Sequence, residues 1–240
     1  MNFIEKILKP FNKYKILIED KIKNSLVRRS EFYLINNSKD KYFMGFEKAK
    51  VTTGMRLRIN GKWEPHCSSA IRSLMKENDN VLQLGAAWGY FTLLMKTIQN
   101  DSAYIYAIEA DKDRCDQLTR NFEKNKFKNW EVINSFISKD SNHLSFQKLF
   151  QSLNKKIDFL FADIEGYELD VLDEIIENNI KIRNMVIGFH TIDLRSSEKN
   201  LYKESKFYSY DDLENRLNRL KKNYEFRIDE DNILFFLKSS

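Results

Sequence analysis

Between residues 80 and 190 the apolar positions follow two alternating rhythms. Five short, nearly unbroken apolar runs read as strands: Val81–Leu84, 103–110 (AYIYAIEA), 130–138 (WEVINSFIS), 157–166 (IDFLFADIEG) and 182–190 (IRNMVIGFH). Between them apolar residues recur every three or four positions, which predicts helices over Tyr90–Ile98, 113–125 and 168–179. Strands that are apolar throughout are buried on both faces. The pattern therefore predicts an α/β fold with a parallel sheet covered by helices on each side.

Both ends of the chain depart from this rhythm. Near the C-terminus, SYDDLENRLNRLKKNY (209–224) opens on Ser209 with Asp212 three residues on, a capping-box-like helix start, and ends in Lys221 and Lys222, which suits the helix dipole. EFRI and ILFFLK then flank DEDN and predict a hairpin (225–238). A doubly wound sheet closed by an antiparallel hairpin resembles the seven-stranded, Rossmann-like class I sheet of S-adenosylmethionine-dependent methyltransferases. At the other end, residues 31–62 alternate apolar clusters with Asn, Ser, Lys and Gly, which predicts short strands and turns. A helix follows over 68–76, and ENDN turns the chain into Val81–Leu84. Residues 1–60 are thus an N-terminal extension and 61–240 the main domain.

Charge sharpens the division. The formal net charge is +5, and residues 1–30 hold eight Lys or Arg against three acids. The remaining residues carry 32 charges of each sign, so the body offers polyanions no attraction and nucleic acid is not an expected partner. In the leader, Phe3, Ile7, Phe11, Tyr14, Ile18 and Ile22 form a helical stripe that Pro10 splits or restarts. Such a stripe packs on the body or a second subunit, or rests its basic segment on an anionic membrane face. Two cysteines, Cys67 and Cys115, imply no disulfide framework, and no run has membrane-spanning length, so a cytoplasmic home is the simplest expectation.

Three features carry chemistry. The first is NVLQLGAAWGYFT (80–92), a strand entering a turn with Gly85 and Gly89, then a helix. Small residues beside a helix N-terminus let a ligand approach the backbone. The turn lacks the G-x-G-x-x-G of dinucleotide sites and the Gly-Lys-Ser/Thr of phosphate loops. The second is Glu109, ending the next strand 24 residues after Gly85. A carboxylate there can accept both hydroxyls of an adenosine ribose, or else cap the following helix. The third is DIEGYE, with Asp163, Glu165 and Glu168 at the end of the fourth strand, the edge where open parallel sheets bind ligands. If that segment is extended, Asp163 and Glu165 point the same way, and two facing carboxylates need a cation, donors or a shared proton.

Together these stretches resemble the FkbM family of methyltransferases, whose turn reads hydrophobic-Asp-x-Gly-Ala-Asn-x-Gly-x-x-Thr and whose fourth strand reads Ile-Asp-x-x-x-x-Asp-x-Glu-Gly-x-Glu. Here the chain has VLQLGAAWGYFT and IDFLFADIEGYE, with KWEPHCSSAI (62–71) similar to the family segment where Trp-Glu-Pro recurs. The resemblance spans roughly residues 60–240 and implies S-adenosyl-L-methionine as cofactor. It places Gln83, Gly85, Ala86, Ala87, Gly89, Tyr90, Glu109, Ala110, Ser135, Phe136 and Asp163 around that cofactor. Gln83 and Ala87 stand where the family has Asp and Asn. Gln83 keeps an acceptor at nearly the same reach and loses the charge, a change of about 1–2 kcal/mol.

The resemblance also implies O-methylation of a sugar or other small hydroxyl compound. A hydroxyl nucleophile must lose its proton, and His190, Asp163 and Glu165 are the candidate bases. Glu64 and His66 face the cleft from the other side, and Arg195, in the polar segment TIDLRSSEKNLYKESKFY (191–208), would meet an anionic acceptor from a lid. Two carboxylates do not complete a metal site, so no metal is assigned. The chain has only Pro10 and Pro65 and lacks the Asn/Asp-Pro-Pro-Tyr segment of amino-methylating enzymes. Gln83 and Ala87 leave open a second class: a protein that kept the fold for binding and lost turnover.

Overall fold

Why the strands are apolar throughout becomes plain in the sheet they build. The computed structural model describes residues 32–36, 41–45, 58, 63–189, 208–229 and 232–239. The leader (1–30), His190 and the segment 191–207 with Arg195 lie outside the described residues. Strands β3 (Val81–Leu84), β4 (Ile105–Glu109), β5 (Trp130–Asn134), β6 (Phe159–Ala162) and β7 (Asn184–Gly188) run parallel, and β8 (Tyr224–Asp229) and β9 (Asn232–Leu237) form the antiparallel hairpin. The order is β5-β4-β3-β6-β7-β9-β8, with β9 antiparallel to β7. This is the seven-stranded sheet the sequence predicts.

Helices cover both faces. On one lie α1 (Pro65–Leu74), α2 (Tyr90–Ile98) and α3 (Lys112–Lys124), packed on Val81, Ile105, Ala107, Phe159 and Phe161. On the other lie α4 (Phe146–Ser152), α5 (Glu168–Glu177) and α6 (Tyr210–Leu220), packed on Leu82, Leu84, Ile108, Leu160 and Ala162. Neighbouring strand residues thus serve opposite cores, as a period of two requires. Ser209 caps α6 in a full capping box with Asp212.

A separate two-stranded ribbon, β1 (Phe32–Asn36) and β2 (Lys41–Gly45), sits against α3. Two asparagines hold it, Asn121 on that helix and Asn125 at its C-cap. Asn125 accepts from Phe43 N–H at 2.7 Å and donates to Phe43 C=O at 2.6 Å. Asn121 does the same for Gly45, at 2.7 and 3.1 Å, and also donates to the Trp88 carbonyl at 2.8 Å. Each side-chain amide stands in for one residue of a neighbouring strand, so β2 is satisfied on its outer edge without one. Among the described residues no helix is long and apolar enough to cross a membrane.

Candidate active site

The chain leaves β3 for one side of the sheet through β4 and β5, then returns to the other side at β6. At that switch point the C-terminal strand ends part, and ligands of open α/β sheets bind there. A cavity of about 250 Å³ occupies the position, lined by the turn after β3, the tips of β4 and β6, the segment after β5, and Arg58, Trp63 and Glu64.

The turn's glycines are demanded by packing. A Cβ on Gly85 (φ +76) would lie 1.8 Å from the Asp163 carbonyl oxygen, so only glycine lets β6 end where it does. Gly89 (φ +96) precedes α2, and a Cβ there would lie 2.3 Å from Leu118. Gly89 does not line the cavity, whereas Gly85, Ala86, Ala87 and Tyr90 do. The small surface a ligand would meet is thus mostly alanine. Ala87 itself takes φ +48, in the left-handed region where Asn and Gly sit at less cost.

Glu109, 6% exposed, is held by backbone alone on two sides. Its Oε2 accepts from Ala87 N–H at 2.7 Å and its Oε1 from Asp111 N–H at 3.0 Å, with the Arg114 guanidinium 3.9 Å from Oε1. The cap of the following helix belongs to Asp111, whose side chain accepts from Asp113 and Arg114 N–H. Each Glu109 oxygen keeps a second lone pair, directed by a fixed carboxylate at the cavity wall. Ala110, Ser135 and Phe136 line the wall beyond it. Phe136 stands edge-on to Tyr167, ring centroids 4.9 Å apart, which fixes an aromatic face on the β5 side.

Gln83 shows where a polar residue in a core strand finds its partner. It lies on the α2 face, 1% exposed, and its Oε1 accepts from the Thr92 hydroxyl at 2.5 Å. One lone pair of the expected acceptor is therefore used inside the protein, and the amide nitrogen adds a donor to the cavity that Gln83 lines.

DIEGYE is not extended. Glu165 has φ +53 and Gly166 φ +105, so the premise that Asp163 and Glu165 point the same way fails, although both line the cavity. Glu168 shapes this turn. It is 0% exposed, accepts from Ile164 N–H at 3.2 Å and from Gly166 N–H at 3.1 Å, and receives the Tyr208 hydroxyl at 3.1 Å. Asp163 sits beside β7, its Oδ1 3.7 Å from the place a Gly188 Cβ would take.

Of the residues expected across the cleft, Glu64 lines the cavity and His66 does not. His66 Nδ1 lies 3.7 Å from Asp229 Oδ1 on the outer side of α1. Cys67, beneath Glu64, contacts Glu64 Oε2 at 3.6 Å and Asn232 Oδ1 at 3.4 Å, and burial pushes its thiol far up. Among the described residues no cluster of His, Cys, Asp and Glu fit to hold a metal is found.

Nine lining residues were missed by sequence reasoning; five are apolar or aromatic wall (Phe91, Ile108, Ile137, Ile164 and Tyr167), and the other four, Arg58, Trp63, Trp88 and Arg114, form a group. The Arg58 guanidinium lies 3.6 Å from the Trp63 ring centroid and 5.7 Å from that of Trp88, and Arg114 lies 5.1 Å from Trp88. Spacing gives no hint of this cation–aromatic stack, since it joins residues from separate segments. The one available signal was two tryptophans beside the two motifs.

Residues 64–228 match the methyltransferase FkbM domain. No curated protein matches the sequence. Solved structures share the fold. The chain is similar to the Methanococcus jannaschii fibrillarin pre-rRNA processing protein at 12% identity and TM-score 0.50, covering 88% of this chain and 100% of that one. It is similar to precorrin-6y C5,15-methyltransferase from Geobacter metallireducens GS-15 at 13% identity and TM-score 0.50, covering 79% and 92%. A methyltransferase from Geobacter sulfurreducens gives 13% and 0.50, covering 72% and 78%. Identities this low speak for the fold alone.

Proposed function

The chain belongs to the methyltransferase FkbM family, and from that premise we propose that it transfers a methyl group to a hydroxyl oxygen of a sugar or other small acceptor. S-adenosyl-L-methionine is the cofactor. The single observation that carries the reading of the pocket is Glu109: a buried carboxylate at a strand tip, fixed by two backbone N–H groups, with acceptor capacity remaining on both oxygens. A ribose presents two neighbouring hydroxyl donors, so the donor and acceptor sets match. Phe136 and Ile137 supply an apolar, aromatic wall for a purine on the β5 side. The residues present fit the group.

When bound, S-adenosylmethionine supplies a methyl group activated by a sulfonium. The chain's part is to hold, align and deprotonate, and alignment is the largest contribution available to a displacement of this kind. Glu109 holds the ribose, and the Ala87 and Asp111 N–H groups keep that carboxylate in one orientation. Asp163 at the end of β6 takes the proton of an acceptor hydroxyl, with His190, just past β7, the second candidate for that role. Glu64 and Glu165 border the space for the acceptor, and Arg195 would meet an anionic one. The neutral body favours a small or glycan acceptor over nucleic acid.

Calorimetric titration with S-adenosylhomocysteine, paired with labelled-methyl transfer to a panel of sugars and small hydroxyl compounds, tests this. Wild type binds; Glu109→Ala weakens binding about 30-fold or more, the loss of two charge-assisted hydrogen bonds. Asp163→Ala retains most binding and loses about 100-fold or more in turnover. A chain that binds the nucleoside yet methylates no hydroxyl compound would fit the binding-protein alternative, and absence of binding would overturn the pocket assignment.

A further inference from the structure

Among the described residues, Arg58 is a guanidinium of the cavity wall with no ion pair to a carboxylate. It is half-buried, and among the described residues no hydrogen bond or ion pair reaches it; Trp63 packs on its face at 3.6 Å. Arg114, the other cation of the wall, is shared with Glu109 and Asp111 at 3.9 Å each. Desolvation lowers the Arg58 pKa below its usual value, opposed by the charges of Glu64 and Asp163. A desolvated cation with no hydrogen-bond partner among the described residues is costly, and a bound anion lowers the cost.

The layout of the sheet says which part of a ligand would arrive there. Strand tips run in the order β5, β4, β3, β6, so Phe136, Glu109, Gln83 and Asp163 follow one another across the cavity. With the ribose at Glu109 and the base on the aromatic β5 side, the 5′ substituent extends toward β3 and β6, two strand spacings or about 10 Å away. Arg58 lines the same cavity and feels the charges of Asp163, just past β6, and of Tyr90, at the start of α2; the Gln83 amide nitrogen, on β3, has its partner oxygen bonded to Thr92. Both are donors. We propose that Arg58, braced on Trp63 and joined by the Gln83 amide, is the anchor for the α-carboxylate of the cofactor's amino-acid end. This rests on the reading of the cavity as the S-adenosylmethionine site.

Three probes separate the possibilities: S-adenosylhomocysteine, decarboxylated S-adenosylmethionine, and 5′-methylthioadenosine, which lacks the amino-acid end. Their binding is measured to wild type, Arg58→Ala and Arg58→Lys. Expected is that Arg58→Ala weakens S-adenosylhomocysteine about ten-fold or more while leaving the other two within about two-fold. Arg58→Lys, keeping the charge without the planar fork, falls between. Retained binding of 5′-methylthioadenosine shows that the variants are folded. Unchanged binding of S-adenosylhomocysteine to Arg58→Ala overturns the proposal and moves Arg58 to the acceptor; equal weakening of all three overturns it in favour of a structural role. Wild type binding none of the three sinks the cofactor pocket itself, and this anchor with it.

Discussion

At the scale of single residues, the turn after β3 carries a cost that the sequence alone conceals. Ala87 holds φ +48, a conformation that a Cβ disfavours by about 1–2 kcal/mol. Ala87→Gly removes the clash at the expense of a looser unfolded chain, so a gain of about 1 kcal/mol is expected in urea unfolding. A loss would mean that the Ala87 methyl packs against something worth more than the backbone relief. The same residue shows what the sequence could and could not reveal. Ala87 was legible as a departure from a family pattern, and Glu109 as an acid at the right distance along the chain. Neither the N–H bond that joins them nor the left-handed turn that aims it has a sequence signature. Arg58 was not legible at all, because its meaning lies in the Trp63 ring beneath it and in Asp163, more than a hundred positions away. Gln83 is legible as an acceptor, but the Thr92 hydroxyl, in the first turn of α2, that takes up that oxygen has no sequence signature.

At the scale of elements, the end of α2 is tied to the sheet through a buried lysine. Lys96, 6% exposed, donates to Gln99 Oε1 at 3.0 Å, Ala103 C=O at 3.1 Å and Asn129 C=O at 3.3 Å, joining helix, β4 entrance and the turn before β5. Burial pushes its ammonium down to about 8, against about 10.4 for an unfolded chain. Between those values the unfolded chain binds more protons than the folded one, so stability rises with pH across the window. Urea midpoints of wild type and Lys96→Met, taken from pH 8 to 10, should therefore diverge in favour of wild type. A constant difference would show that the three oxygen acceptors keep the ammonium charged throughout. Elements of this kind were mostly legible, since five apolar runs and three periodic stretches mark a parallel sheet without help from tertiary contacts. The misses have physical causes. α4 is only seven residues long and offers less than two periods to read. α1 begins at Pro65, a residue tolerated at the first helical position because its missing N–H would have had no helical partner. The run 130–138 continues apolar after β5 ends at Asn134, because Ser135, Phe136 and Ile137 leave the sheet to line the cavity. Apolarity marks burial, and a pocket wall is buried too.

At the scale of the whole molecule, the cavity belongs to neither half of the sheet. Its walls come from Arg58 and Trp63 ahead of the sheet, from the tips of β3, β4 and β6, and from the segment after β5, each resting on one or both of the two cores. No partial fold holding only residues before β5, or only those after it, contains Glu109 and Asp163 in register. A ligand bound there therefore recognises the complete domain and nothing less, so its binding energy adds to the stability of the whole. With S-adenosylhomocysteine at 100 times its dissociation constant the gain is about 2.7 kcal/mol. For a domain of this size each kcal/mol moves the melting temperature by about 2–4 °C, so the transition should rise as one cooperative step by about 5–10 °C. Glu109→Ala, heated at the same ligand concentration, should show little of this rise. If instead the variant gains as much as wild type, the nucleoside is binding somewhere other than the tip of β4. If wild type splits into two transitions, of which only one responds, the two cores melt separately and the cavity is assembled by one of them alone. A single shifted transition, lost with one carboxylate, is the outcome that the shared walls require.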